Sequence, residues 1–82
     1  IIMHAVTINA NVLIDENVVV NTGCIIEHDV KIGKNSHIST AVTLNGGVRI
    51  GKNCFIGSGS VIRENIKIAD NTFIKMGSIV KR

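Results

Sequence analysis

An aliphatic residue occurs at every sixth position along the whole chain. The series has fourteen members and no exception: Ile2, Ile8, Ile14, Val20, Ile26, Ile32, Ile38, Leu44, Ile50, Ile56, Ile62, Ile68, Ile74 and Val80. Around an α-helix, successive members would lie about 240° apart, so no helix could gather them on one face. The period therefore excludes a helical fold and favours a repeat built from short strands.

Two further sets of positions keep the same six-residue step. Two residues before each aliphatic position the side chain is small or β-branched, as strand alternation requires for a second inward row. Three residues after it, eleven of thirteen positions hold Asn, Gly or Asp, which tolerate a left-handed backbone and so predict a corner. Three strands and three corners close a triangular coil of about 18 residues. The chain is therefore predicted to form an all-β parallel solenoid of about four and a half coils.

The residue before each aliphatic position points outward, and these residues stack in steps of 18. Two of the three resulting columns are mostly apolar and the third is basic. They comprise Ile1, Val19, His37, Phe55 and Phe73; then Thr7, Ile25, Thr43, Val61 and Ile79; then Leu13, Lys31, Arg49 and Lys67. Since soluble monomers rarely expose apolar faces of this size, we expect the first two columns to bury against other copies in a homotrimer. The basic column either attracts phosphates or keeps an exposed sheet soluble.

Composition excludes several classes of protein. No apolar run approaches the roughly 18 residues of a membrane span, and no charged segment followed by an apolar one has the pattern of a signal peptide, so a cytoplasmic location without a membrane span is the expectation. The net charge is +3, but the basic residues are dispersed and aromatic stacking platforms are missing, which argues against nucleic acid. We expect Cys24 and Cys54 to be free, buried thiols.

With this six-residue repeat, the chain resembles the hexapeptide-repeat acyltransferases, whose fold is a left-handed parallel β-helix. Residues 21–33, NTGCIIEHDVKIG, look like the active-site coil of the branch with the bacterial sialic-acid O-acetyltransferases and the nucleotide-activated amino-sugar N-acetyltransferases. The similarity continues through KIGKNSHIS, the Asn45-Gly46-Gly47 turn and VRIGKNCFIGSGSVI. Members usually carry an N-terminal nucleotide-binding domain and a C-terminal segment. We therefore expect residues 1–82 to be a left-handed β-helix domain that is the coil-only part of a longer protein.

The resemblance implies transfer of an acetyl group from acetyl-CoA to a hydroxyl or amine of a sugar, either sialic acid or a nucleotide-linked amino sugar, without a metal. It implies that His28 is the general base and that Asp29 raises its basicity. It also implies that His37, Gly46 and Ser58 contact acetyl-CoA, which would lie in the groove between adjacent subunits.

The chemistry of the residues agrees with part of that assignment. An imidazole suits the removal of a proton from an amine or hydroxyl that attacks a thioester. His28 is predicted at an outward corner, stacked with Ala10 on one side and with Gly46, Glu64 and Arg82 on the other. Because Gly46 has no side chain, space opens beside the imidazole. We expect the Gly46 N–H to stabilise the oxyanion.

Several of these residues have a second interpretation. Asp29 suits a left-handed corner for structural reasons alone, and Glu27 competes with it as the partner of the imidazole. His37 lies in an apolar column, where it could be a simple interface residue. His4 receives no role.

Two other functions fit the sequence. A zinc hydratase of the γ-carbonic anhydrase type uses the same coil and three histidines, and this chain has three. However, His28 and His37 are predicted on different sides of the coil, and no His-x-x-x-x-His pair exists. The other alternative is a non-catalytic solenoid that only trimerises.

Overall fold

The computed structural model describes residues 1–81, and Arg82, the last position of the His28 stack, lies outside them. The described chain consists of two-residue β-strands joined by corners. In chain order, strands β1 to β13 are Thr7–Ile8, Leu13–Ile14, Val19–Val20, Ile25–Ile26, Lys31–Ile32, His37–Ile38, Thr43–Leu44, Arg49–Ile50, Phe55–Ile56, Val61–Ile62, Lys67–Ile68, Phe73–Ile74 and Ile79–Val80.

The strands form three parallel sheets, in which every residue pairs with the residue 18 positions away. The order in the first sheet is β1-β4-β7-β10-β13, and we call this the aliphatic sheet after its outward column from Thr7 to Ile79. The basic sheet is β2-β5-β8-β11, with outward residues Leu13, Lys31, Arg49 and Lys67. The aromatic sheet is β3-β6-β9-β12, with outward residues Val19, His37, Phe55 and Phe73. The predicted left-handed parallel β-helix and its 18-residue register are confirmed.

A residue with positive φ stands at each of the thirteen corners of the described chain. Nine are not glycine: Ala5, Asn11, Asn17, Asp29, Asn35, Ala41, Asn53, Asn65 and Asn71. The other four are Gly23, Gly47, Gly59 and Gly77. These are the thirteen positions that the six-residue pattern marks as corners. Ala5 and Ala41 adopt the same conformation although alanine has no special preference for it.

The core is a column of aliphatic side chains along the axis of the prism. From Val20 to Ile68 the aliphatic residues of the six-residue series, which we call rungs, are buried. The second inward row packs between them. At the N-terminal end, by contrast, Ile2 and Ile8 are 46% and 42% exposed. Each interior aliphatic residue is covered by the coils on both sides of it, whereas within the described residues Ile2 and Ile8 have a neighbouring coil on one side only.

Polar atoms inside the prism are paired between coils. The buried Ser36 hydroxyl donates to the Gly51 carbonyl at 2.7 Å and accepts from the Cys54 N–H at 3.0 Å. The Cys24 thiol donates to the Ser39 carbonyl at 2.8 Å. Cys24 and Cys54 are free and buried, as predicted. Burial raises the pKa of the Cys24 thiol, so this group remains protonated.

The Ile-Gly pairs of the sequence mark places where successive coils approach closely. A Cβ atom on Gly33 would lie 2.7 Å from the carbonyl carbon of Gly51 in the next coil. A side chain there would force the two backbones apart. Within residues 1–81, no helix has the length and apolar character that a membrane crossing requires.

Candidate active site

His28 lies at the corner between strand β4 of the aliphatic sheet and strand β5 of the basic sheet. Its side chain is 66% exposed, which confirms the outward direction predicted from the register. The corner is fixed by Asp29, whose φ of 61° is the left-handed conformation that the turn requires. The Asp29 N–H donates to the Ala10 carbonyl at 3.0 Å, so the corner is tied to the coil before it.

Asp29 also contacts the imidazole directly. Its Oδ2 atom lies 2.9 Å from Nδ1 of His28. The hydrogen bond from His28 is the largest cause that lowers the pKa of Asp29, with smaller contributions from the Asn11 amide and the charge of Arg49. An ionised carboxylate only accepts hydrogen bonds, so Nδ1 carries the proton in this contact, and Nε2 is the nitrogen that can take up a proton. The two interpretations of Asp29 are therefore compatible, because one residue forms the corner and orients the ring.

Glu27, the rival partner, is engaged elsewhere. Its Oε1 atom accepts a hydrogen bond of 3.0 Å from the Asn9 side-chain amide of the preceding coil. The ion pairs within residues 1–81 include that of His28 with Asp29 and none of His28 with Glu27.

Gly46 lies one coil beyond His28, and the free edge of the imidazole lies over it. The Gly47 N–H donates to the His28 carbonyl at 3.0 Å, which fixes the stacking of these two corners. A Cβ atom on Gly46 would lie 2.8 Å from Nε2 and from Cε1 of the ring. The imidazole therefore occupies part of the space left by the missing side chain, with Nε2 directed toward it.

The backbone N–H of Gly46 is uncapped, as it is at most of the equivalent corner positions of the described chain. At two other corners the preceding side chain caps the equivalent N–H: Asp15 Oδ1 accepts from Glu16, and Asn21 Oδ1 accepts from Thr22, both at 2.7 Å. Asn45 holds the same position before Gly46, but its Nδ2 donates to the Ile62 carbonyl at 3.0 Å. Within residues 1–81 the Gly46 N–H has no protein acceptor. It is thus available to a ligand oxygen.

The next residue, Gly47, is crowded from the opposite side. Gly47 has a φ of 74°, and a Cβ atom on it would collide with the side-chain amide oxygen of Asn65. Gly46 and Gly47 therefore both lie where a side chain would meet a polar group of an adjacent coil. Asn65 completes the wall on the far side, and its N–H donates to the Gly46 carbonyl at 2.9 Å.

These residues line one open groove of about 790 Å³. The lining consists of Glu27, His28, Asp29, Asn45, Gly46, Gly47, Arg49, Glu64 and Asn65. Three of them are carboxylates and one is an arginine, so the groove has an acidic balance despite the positive charge of the whole chain. Its openness to solvent means that a ligand or a second protein chain could reach His28 directly.

A second groove of about 770 Å³ runs along the basic sheet, where Lys31, Arg49 and Lys67 are stacked in register. Arg49 lines both grooves and so joins the basic sheet to the His28 corner. The three side chains point outward from consecutive coils and are exposed. This is the only described sheet whose outward column carries three cations.

His37 lies on the aromatic sheet, which is the side of the prism opposite the His28 corner. Its ring is tilted against Phe55 with a centroid distance of 5.3 Å, and Phe55 stacks on Phe73 at 5.1 Å. Within one chain His28 and His37 therefore face different directions. This agrees with the sequence-based expectation that they lie on different sides of the coil.

Ser58 lies at the third corner, between the aromatic and aliphatic sheets, and is no part of the His28 groove. Its hydroxyl is hydrogen-bonded to that of Ser39 at 2.8 Å. Of the predicted site residues, one chain thus brings together His28, Asp29 and Gly46. It does not bring His37 or Ser58 to them.

Sequence reasoning missed the part played by Asn45, whose amide donates to the Ile62 carbonyl and does not cap the Gly46 N–H. It also gave no role to Arg49 at the site or to Asn65. The 18-residue step that placed Gly46 beside His28 also places Glu64 and Asn65 one coil further on, so the signal was present. Within residues 1–81, no three His, Cys, Asp or Glu side chains are grouped so that they could hold a metal ion.

Comparison with known proteins locates the repeat and supports the fold. Residues 47–82 match the protein-family model described as "Bacterial transferase hexapeptide (six repeats)". No curated protein sequence matches the chain. Among solved structures, the chain is similar to the "Acetyltransferase domain of PglB from Neisseria gonorrhoeae FA1090", with a TM-score of 0.51 and 16% sequence identity. The match covers 96% of this chain but only 44% of that one, so the chain spans less than half of its neighbour's length. The C-terminal coils thus match a hexapeptide-repeat model, and nearly the whole chain is similar in fold to the domain of that solved structure.

Proposed function

We propose that the protein is part of an acetyltransferase that moves an acetyl group from acetyl-CoA to a hydroxyl or amine of a sugar, with His28 as the general base. One observation carries the proposal: the Nε2 atom of an imidazole held by Asp29 lies close over the Gly46 backbone, whose N–H has no protein acceptor in the described chain. The hexapeptide-transferase match and the fold of the solved neighbour support the same class of reaction.

The reaction follows from these groups. A nucleophile above Gly46 attacks the thioester carbonyl carbon, and its proton passes to Nε2 of His28. The carbonyl oxygen becomes an oxyanion, which the Gly46 N–H stabilises. The C–S bond then breaks, CoA leaves as a thiolate, and the imidazolium returns the proton to that sulfur. Asp29 holds the ring in the correct tautomer and stabilises its charge while the proton is on it.

The complete site is proposed to form between two copies of the chain in a homotrimer. The outward residues of the aliphatic and aromatic sheets are largely apolar, with Ile79 and Phe73 63% and 70% exposed. If the aliphatic sheet of one copy packs on the aromatic sheet of the next, the neighbour's aromatic sheet lies beside the His28 corner, which borders the aliphatic sheet. His37 of the second copy then reaches the groove of the first. A monomer in light scattering at micromolar concentration would contradict this arrangement.

Acetyl-CoA is proposed to lie along that boundary. The Gly46 N–H and His37 are the groups assigned to its thioester end, and Lys31, Arg49 and Lys67 offer three stacked cations to its phosphates. Arg49 supports this path because it lines both grooves. The contact of Ser58 with acetyl-CoA stays a prediction.

The decisive experiment measures CoA release from acetyl-CoA with a panel of amino sugars and sialic acid. We expect turnover by the wild-type protein and a loss of roughly 100-fold or more in His28→Ala. His4→Ala is the matched control, because His4 is also an exposed corner histidine and should leave the rate unchanged. Acetyl-CoA should also raise the thermal midpoint by linkage. The absence of both turnover and a thermal shift would support a passive solenoid. Full activity of His28→Ala would reject His28 as the general base.

A further inference from the structure

In the stack of corners that contains His28, the residue two coils further on is a glutamate, Glu64. His28, Gly46 and Glu64 are spaced by 18 residues and lie on three consecutive coils. The stack is tied by two hydrogen bonds, from Gly47 N–H to the His28 carbonyl at 3.0 Å and from Asn65 N–H to the Gly46 carbonyl at 2.9 Å. The backbones under His28 and Glu64 are therefore about two strand spacings apart, or roughly 9.6 Å. Gly46, which lies between them, contributes no side chain, and the His28 ring fills part of the space that this leaves.

The two side chains on either side of this space are both polar, but one is a base and the other is an acid. The first is Nε2 of His28, which lies next to the missing Gly46 side chain. The second is the Glu64 side chain, which is 60% exposed and lines the same groove. Its Oε1 atom is 3.3 Å from Nε of Arg63, an exposed contact that costs little to rearrange. A group between these side chains would meet a base on one side and a negative charge on the other.

We propose that Glu64 binds the nitrogen of the acceptor, so that the site takes a primary amine on a sugar in preference to a hydroxyl. This inference rests on the proposed function, which leaves the choice between amine and hydroxyl open. An amine enters as an ammonium ion, which a carboxylate attracts and a neutral hydroxyl does not match. The bound ammonium ion first gives one proton to solvent, because only the neutral amine has a lone pair that can attack. The new N–C bond then places positive charge on nitrogen until His28 removes a second proton, and Glu64 stabilises that charge.

The charge of the groove supports an amine acceptor over an acidic one. Glu27, Asp29 and Glu64 line it against the single cation Arg49. Asp29 is kept ionised by its contact with His28, and Glu27 is held on the near wall by Asn9. Glu64 is the carboxylate one coil beyond Gly46, on the side away from His28, and it lines the same groove. A sugar carboxylate at this place would be repelled.

The test compares glucosamine with glucose as probes, followed by NMR of the His28 imidazole at neutral pH. We expect glucosamine to shift the His28 signals with an apparent affinity roughly five- to tenfold higher than that of glucose, and Glu64→Gln to remove the difference. Glu16→Gln is the matched control, because Glu16 is also an exposed corner glutamate in an ion pair, with Lys34 at 3.2 Å. That variant should keep the amine preference.

Equal responses to the two sugars in the wild type, or a preference that survives in Glu64→Gln, would overturn the proposal. A transfer assay separates this failure from a failure of the proposed function. Acetyl transfer to hydroxyls without amine preference would reject the role of Glu64 and retain the acetyltransferase. Amine preference without any acetyl transfer would retain the amine site and reject the acetyltransferase.

Discussion

A Cβ atom on Gly46 would lie 2.8 Å from Nε2 of His28. The imidazole is the end of an exposed, rotatable side chain, so an added methyl group would displace the ring and leave the fold in place. Gly46→Ala should therefore lose roughly 100-fold in transfer rate, because the base no longer reaches the nucleophile, while the thermal midpoint changes little. Steady-state kinetics and thermal unfolding of the same sample check both halves of this prediction.

The matched control for that variant is Gly77→Ala, which should give the opposite pair of results. Gly77 has a φ of 71° and open space around its Cβ position, and it shares its corner stack with Ala41, where alanine already adopts a φ of 58°. We expect a cost of about 1 to 2 kcal/mol in stability from the left-handed backbone and an unchanged rate. If Gly46→Ala instead lowers the thermal midpoint and leaves the specific activity of the folded protein unchanged, the role of the space beside Gly46 is refuted.

A second prediction concerns the charge of Asp29. Asparagine occupies the equivalent corner position six times in this chain, including Asn11 and Asn35, so Asp29→Asn keeps the backbone and removes only the charge. Because a charge-assisted hydrogen bond is about twice as strong as a neutral one, we expect the transfer rate to fall by roughly one order of magnitude. The oligomeric state should not change.

The pH dependence of stability follows from the same contact. The pKa of Asp29 is below its ordinary value of 3.8 in the folded protein. Its contribution to stability is therefore present above that ordinary value and is lost as the pH falls through the lower, folded pKa. Thermal midpoints of wild type and Asp29→Asn should differ most near neutral pH and converge in strong acid. A difference that grows with acidity would show that the carboxylate is not stabilised as described.

The third prediction tests the shared site. Separately, His28→Ala and His37→Ala should each be nearly inactive if both residues act at the thioester. When equal amounts are unfolded and refolded together, random trimers should recover about a quarter of the wild-type sites, since an intact site needs His28 from one copy and His37 from the next. A mixture with no more activity than its components would exclude a site formed by His28 and His37 of different copies.

The fourth prediction concerns the interior of the prism. Ser36→Ala leaves the Gly51 carbonyl and the Cys54 N–H without their partner, at a cost of about 1 to 3 kcal/mol. Ser36→Cys should recover part of that loss, because the Cys54 thiol makes the same kind of bond to the Ala69 carbonyl at 3.1 Å. In thermal unfolding, a domain of this size shifts by roughly 4 to 8 °C per kcal/mol. If the alanine variant were as stable as the wild type, the interior hydrogen bonds would not contribute.

The fold was predictable in detail because every coil repeats the same physical requirements. An inward rung such as Ile26 and a left-handed corner such as Asn35 recur at fixed steps, so one period sets the register of all three sheets. The position of His28 beside Gly46 follows from that period as well. The direction of Nε2 did not, since it depends on which acid holds Nδ1. The open N–H of Gly46 also depends on a side-chain choice, because Asn45 resembles Asn21 in sequence but bonds to a different group.

The uniform 18-residue pairing has a consequence for how such a chain can change its length. Inserting or deleting one whole coil preserves every neighbour relation outside the junction, whereas a change of any other size rotates later side chains onto the wrong face. The groove at His28 draws on only three adjacent coils, from the one that carries His28 to the one that carries Glu64. Coils can therefore be added at either end of the solenoid without disturbing the His28 corner, so the length of the chain and the chemistry of this corner can diverge independently.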